Sequence, residues 1–212
     1  ECIGSIGCIA HLHYGNGDVT LGVMPLFHTM GIRALSMSVY LNGTFVCMPT
    51  FDAAQALDLI ARERISTLFL VPTMFHDMLH HKDFATFDPA PVRNLAYAGM
   101  SMTAALIEAC ATGFKPERFS NFYGSSEIYT FTVCNDAEAK PGCAGRPGMG
   151  QQIRIVHCDP DERVGPDALV TPGETGEIIA RMDSLDAFAG YWKRPDADKK
   201  AIRDGWYFTG DL

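Results

Sequence analysis

The sequence predicts an α/β protein in which a parallel sheet covered by helices is followed by a smaller β-rich subdomain. Three observations lead there. Strand-like and helix-like stretches alternate repeatedly between residues 19 and 123, the order that builds parallel sheets with helical crossovers. Short continuous apolar runs such as Thr67 to Val71 suit strands buried on both faces. After about Cys134 long helical patterns disappear, and Gly142, Gly145, Pro147, Gly148 and Gly150 punctuate a short stretch. The expected division is therefore 1–133 and 134–212.

Each element has its own signal. Residues 3–14 read as a helix, with Ile3, Ile6 and Ile9 three apart, and Gly15-Asn16-Gly17-Asp18 breaks it. Val19 to Leu26 reads as a buried strand leading into Phe27-His28-Thr29-Met30-Gly31. Ile32 to Tyr40 reads as a core helix beginning beside that histidine. Asn42-Gly43 marks a turn and Thr44 to Met48 a strand. Phe51-Asp52 opens a helix in which Leu57, Ile60, Ala61 and Ile65 repeat at helical spacing, with Arg62, Glu63 and Arg64 toward water. After the strand Thr67 to Val71, Pro72-Thr73 starts a helix carrying Met74, Phe75, Met78 and Leu79 on one side. Asn94 to Ala98 is strand, Gly99 to Met102 turn, Thr103 to Ala111 helix and Phe119 to Tyr123 strand. Further on, Gln152 to His157, Gly176 to Met182 and Trp206 to Thr209 read as strands. Pro160-Asp161-Glu162-Arg163 and Thr171-Pro172-Gly173-Glu174 read as turns.

Composition narrows the function. With 212 residues, 47% hydrophobic and 20% charged, the chain belongs among globular proteins. A net charge of -8 and the lack of any basic run longer than Lys199-Lys200 argue against nucleic acid as a partner. No apolar stretch approaches the roughly 20 residues of a membrane helix, and no signal peptide is visible. Seven cysteines without a CxxC pair fit free thiols in a reducing compartment, so a cytoplasmic location is expected. Cys8, His11 and His13 lie close together, but no fourth ligand or second cluster follows them.

The stretch Asn121-Phe122-Tyr123-Gly124-Ser125-Ser126-Glu127 carries the most chemistry. An apolar strand reaches a glycine, and polar groups stand where the strand stops, the place where open α/β sheets bind ligands. Hydroxyls and backbone N–H groups at such a turn suit phosphate oxygens, and a carboxylate suits Mg2+. Tyr123 offers a flat face for a base. Alone, the pentapeptide fits an ordinary turn with a capping serine equally well. Asp204-Gly205-Trp206-Tyr207-Phe208-Thr209-Gly210-Asp211 then supplies a second turn ending in a carboxylate.

Together these segments resemble the Tyr-Gly-x-[Thr/Ser]-Glu and Tyr-x-Thr-Gly-Asp motifs of the adenylate-forming superfamily, which includes acyl- and aryl-CoA synthetases. Gly176-Glu177-Ile178-Ile179, Phe188-Ala189-Gly190-Tyr191-Trp192 and Met24-Pro25-Leu26-Phe27-His28-Thr29-Met30-Gly31 extend the resemblance over nearly the whole chain. The branch it most resembles is that of the chlorobenzoate and benzoate CoA ligases. The family carries a phosphate loop ending in lysine upstream of these motifs and a lysine-bearing domain downstream. The chain is accordingly expected to be part of the large N-terminal domain of a larger enzyme, inactive alone.

The resemblance implies an ATP-dependent carboxylate–CoA ligase with ATP, Mg2+, CoA and a small carboxylic acid as its partners. It gives Glu127 as the metal ligand, Ser126 as a phosphate-contacting hydroxyl, and His28 beside the reacting carboxylate. Tyr123 and Asn121 would hold adenine, Gly99 and Gly124 would border it, and Asp211 would accept from the ribose hydroxyls. The family's usual proline beside Gly99 is absent. The acid pocket is expected from His28, Thr29, Met30, Phe69, Ala98, Phe122, Gly124, Ile128, Tyr129 and Thr130. Only His28 among these can carry charge, so an aryl acid with an uncharged tail is expected, lying against the space left at Gly124. A fatty-acid ligase, another adenylating enzyme and a non-catalytic nucleotide-binding module stay open as alternatives.

Overall fold

The computed structural model describes residues 1–159 and 163–212. It contains a seven-stranded sheet and a four-stranded one. The first half alternates helix and strand: α1 (Cys2–Leu12), β1 (Val19–Gly22), α2 (Thr29–Tyr40), β2 (Thr44–Cys47), α3 (Ala53–Arg62), β3 (Thr67–Leu70), α4 (Pro72–Leu79), β4 (Asn94–Ala98), α5 (Ala104–Phe114) and β5 (Arg118–Tyr123). A 3-10 turn at Lys82–Thr86 lies between α4 and β4. These five strands are parallel in the order β2-β1-β3-β4-β5, and β6 (Thr132–Cys134) and β7 (Arg146–Pro147) extend the sheet antiparallel.

Side-chain alternation along the strands builds two cores. Leu68, Leu70, Leu95, Tyr97 and Phe119 pack with α3, α4 and α5, while Phe69, Ala96, Ala98 and Phe122 pack with α1 and α2. The apolar runs are thus buried on both faces, and each face is roofed by helices. Local chemistry starts the helices. Asp52 caps α3 by accepting from Gln55 N at 2.8 Å, and Thr103 caps α5 by accepting from Leu106 N at 3.3 Å.

The second sheet runs β10-β11-β9-β8, all antiparallel, from β8 (Ile153–Val156), β9 (Glu177–Arg181), β10 (Ile202–Arg203) and β11 (Trp206–Phe208). Sheet membership changes between Pro147 and Ile153, since β6 and β7 still belong to the first sheet. Ile128, Phe131, Ala180 and Tyr207 form the core that joins the two sheets.

Several boundaries differ from expectation. The strand expected over Val19–Leu26 stops at Gly22, because Pro25 has no N–H for a ladder and the chain turns outward, leaving Phe27 94% exposed. Ala61 lies on the solvent side of α3, and Ile65 is buried beyond its end. The second half does hold a helix, α6 (Pro195–Ala201), which buries none of its side chains. Pro160, Asp161 and Glu162 of the expected turn lie outside the described residues, and no helix among the described residues is long and apolar enough to cross a membrane.

Candidate active site

Two cavities open beyond the carboxyl ends of the parallel strands. The first, about 190 Å³, is lined by His28, Thr29, Met30 and Arg33 from the start of α2, by Ala98 and Gly99 after β4, and by Phe122, Gly124, Ser125, Ser126 and Tyr129. The second, about 510 Å³, takes Gly99, Asn121, Phe122, Tyr123 and Gly124 from the first sheet. Its other side comes from Gly142, Ala144, Ile178, Asp211 and Leu212. Gly99, Phe122 and Gly124 line both, so the cavities meet across one wall. Gly99 adopts φ 83°, a left-handed conformation that glycine takes without strain.

The loop after β5 owes its shape to Ser125 and Gly124. Ser125 Oγ accepts from the backbone N–H groups of Glu127 (3.1 Å) and Ile128 (3.4 Å), which turns the chain. A Cβ on Gly124 would stand 2.1 Å from the Tyr129 carbonyl oxygen. The side on which a Cβ would stand is therefore filled by backbone, so glycine is required for the loop to close, while Gly124 still lines both cavities. Ser126, by contrast, is exposed, lines the first cavity and makes no hydrogen bond among the described residues.

Glu127 is fixed by the loop between β9 and α6. Its carbonyl accepts from Phe188 N at 2.7 Å, and its Oε1 accepts from Tyr191 Oη at 2.7 Å. Burial pushes its pKa up, but hydrogen bonds from Tyr191, Ser125, its own N–H and Tyr207 outweigh that and hold it below the usual glutamate range. Tyr191 stays protonated for the matching reason: burial, then the bond to Glu127, push its pKa up. Glu127 is thus an anionic oxygen donor at neutral pH. Among the described residues no three His, Cys, Asp or Glu gather as a metal centre. One carboxylate suits Mg2+ nonetheless, since that ion is held by one or two carboxylates with waters and phosphate oxygens.

At the second cavity Tyr123 donates its hydroxyl to Asp211 Oδ2, and burial together with that bond raises the Tyr123 pKa. Phe131 lies 5.1 Å from the Tyr123 ring, centroid to centroid. Asn121 Nδ2 donates to the Cys143 carbonyl at 3.0 Å. Asp211 is exposed, and its backbone is pinned by Ile178 N to Asp211 O at 3.0 Å.

At the first cavity His28 caps α2, its Nδ1 accepting from Met30 N at 3.2 Å, so that Nε2 carries the proton of the neutral ring. Phe69, Ile128 and Thr130 stand behind the lining: Phe69 packs on Phe122, Ile128 joins the inter-sheet core, and Thr130 accepts from Arg33.

The expectation that only His28 brings charge to this cavity is overturned by Arg33. It is 2% exposed, and its Nη1 donates to Thr130 Oγ1 (2.7 Å) and the Tyr129 carbonyl (3.2 Å). Its guanidinium carbon lies 5.4 Å from the Phe69 ring centroid and 5.6 Å from that of Tyr129. Such cation–π contacts contribute about 0.5–2 kcal/mol each. A signal for it exists in the sequence: Met30, Arg33, Ala34 and Met37 share the buried stripe of α2.

The comparisons agree with this geometry. A family model described as "AMP-binding enzyme" matches residues 3–192. A medium/long-chain-fatty-acid–CoA ligase of Mycobacterium tuberculosis is 31% identical over 89% of this chain and 32% of its own length. A 4-chlorobenzoate–CoA ligase of Arthrobacter is 27% identical over 95% of this chain and 38% of its own. The o-succinylbenzoate CoA synthetase of Bacillus subtilis, solved with ATP and magnesium ion, superposes with a TM-score of 0.82 at 26% identity. That match covers 99% of this chain and 42% of the solved one. The chain thus spans about a third to two-fifths of the length of these relatives. With its parallel sheet, its paired cavities and a family match over most of its length, the chain belongs to the AMP-binding enzymes.

Proposed function

We propose that this chain supplies the acid and nucleotide cavities of an ATP-dependent carboxylate–CoA ligase acting on an aryl acid. The observation that carries the reading is the wall of Gly99, Phe122 and Gly124 common to both cavities. An acid in one cavity and ATP in the other meet at that wall. A carboxylate oxygen attacks the α-phosphorus, the bond to the β-phosphate breaks, and pyrophosphate leaves an acyl-AMP. The CoA thiol then displaces AMP from the acyl carbon. Holding both reactants at one wall replaces an encounter in solution by a positioned reaction.

The residues divide the work in this reading. His28, at the start of α2, stands beside the reacting carboxylate, and Ser126 presents a free hydroxyl to the phosphates. Asn121 and Tyr123 border the nucleotide, and Asp211 meets the ribose. Glu127 would hold Mg2+, which when bound supplies positive charge where phosphate charge builds up. The size of the first cavity supports an aryl acid: an engineered apolar cavity of about 150 Å³ in another protein takes up benzene, and 190 Å³ is close to that. Chlorobenzoate and o-succinylbenzoate enzymes stand among the relatives beside fatty-acid ligases, so both acid classes enter the test. The seven free cysteines fit the reducing cytoplasm proposed for it.

The test is kcat/KM for ATP-dependent pyrophosphate release by the intact protein carrying this chain. Benzoate, 4-chlorobenzoate, eight- and sixteen-carbon fatty acids and phenylalanine are compared. The aryl acids are expected to lead, and a clear lead for either fatty acid would overturn the aryl assignment.

A further inference from the structure

The acid cavity holds a buried cation that the adenylation reading leaves without a role. Arg33 is on the buried stripe of α2 and lines the first cavity, not the second. Its neighbours are neutral acceptors and ring faces: Thr130 Oγ1, the Tyr129 carbonyl, Phe69 and Tyr129. It forms no ion pair among the described residues, and its buried Nε has no hydrogen-bond partner. The Cys8 thiol beside it does not neutralise it, because burial pushes the Cys8 pKa up despite the arginine. Asp186 acts on Cys8 and Tyr129 only through its field. Buried guanidinium groups are normally matched by an anion, and a guanidinium binds carboxylates through its fork of donors.

We infer that Arg33 selects acids carrying a second anionic group, such as a ring carboxylate, which enters the first cavity and pairs with the guanidinium. The inference rests on the aryl-acid reading above and names the substituent of that acid. The reacting carboxylate belongs at the wall of Gly99, Phe122 and Gly124 with His28 beside it, and Arg33 follows His28 by five residues along α2, roughly 7.5 Å at 1.5 Å per residue. The second group is a separate anion on the same molecule. A rigid ring suits this arrangement, because it holds two carboxylates apart at a fixed distance.

The experiment compares benzoate with benzene-1,2-, 1,3- and 1,4-dicarboxylate by pyrophosphate release, in the intact protein and in Arg33→Met and Arg33→Lys. At least one dicarboxylate is expected to exceed benzoate at least tenfold in kcat/KM. Arg33→Met should lower that ratio at least tenfold, and Arg33→Lys should retain more of it than Met does. Benzoate leading all three dicarboxylates would overturn the inference and leave the adenylation reading standing. So would an equal loss for benzoate and dicarboxylates in Arg33→Met, since the arginine would then serve the reacting group or the loop. No release with any acid would sink both readings. Should Arg33→Met fail to fold, the parent ratio and the lysine variant decide.

Discussion

Glu127 shows how a single side chain is tuned from outside its own loop. The Tyr191 hydroxyl holds the carboxylate ionised, so removing it in Tyr191→Phe should raise the Glu127 pKa. The sign follows: the ionised form is needed, and a raised pKa means more is protonated as pH falls. Pyrophosphate release by Tyr191→Phe should therefore fall further below the parent near pH 5.5 than near pH 8, and a parallel pH profile would refute the coupling. Glu127→Gln removes the charge at every pH. A neutral amide is a poorer ligand for a hard cation, so turnover should drop roughly tenfold or more, and raising the Mg2+ concentration should recover part of it. The place of Glu127 at the site is legible from its motif because the carboxylate closes a strand–turn. Tyr191 as its partner is not, since 64 residues separate the two and only the folding of the loop between β9 and α6 onto Glu127 joins them.

Among the elements, long and apolar ones are legible and short or exposed ones are not. β3 and β4 declare themselves by uninterrupted apolar residues, and α4 by apolar residues on one side. β6 and β7, of three and two residues, exist because β5 and the loops beside them supply partners, and no periodicity fits into so few positions. α6 carries sound end signals, with Pro195 at its first turn, Asp196 and Asp198 early and Lys199 and Lys200 late. It has no buried stripe, so a search for core periodicity passes over it. Element ends at the far side of the sheet hang on Asp18, which is 2% exposed. Asp18 accepts from Gly15 N (2.6 Å), from Ser66 Oγ (2.7 Å) and from Arg93, tying the start of β1 to the approaches of β3 and β4. Asp18→Ala would leave buried donors unpaired and should lower unfolding stability by about 1–3 kcal/mol. The urea midpoint measures this, and because Asp18 lies outside both cavity linings, KM for ATP and for the acid should stay near the parent values.

Across the whole molecule the two cavities depend on different parts of the structure. The first sheet, α2 and the loop after β5 line the acid cavity, whereas the nucleotide cavity also needs Ile178 of the second sheet and Asp211 and Leu212, which follow β11. Rings at the joint decide how well that second wall is held. Tyr207 on β11 stacks on Phe131 with centroids 6.2 Å apart and meets Phe188 edge-on at 5.8 Å. Asp211 follows four residues later and is tied back to the first sheet through Tyr123. Tyr207→Leu keeps an apolar side chain but removes both ring contacts, each contributing about 0.5–1.5 kcal/mol beyond burial. It also removes the hydrogen bond to Glu127, and Tyr207→Phe, which loses that bond but keeps the ring, serves as the control. The second sheet should then sit less firmly, and the two halves of the nucleotide cavity should hold their spacing less well. KM for ATP is expected to rise severalfold while KM for the acid changes by less than about twofold. Steady-state kinetics in the intact protein, varying each substrate with the other saturating, separates the two. Equal rises in both constants would mean that the joint supports the acid cavity as much as the nucleotide cavity, contrary to the division drawn from their linings.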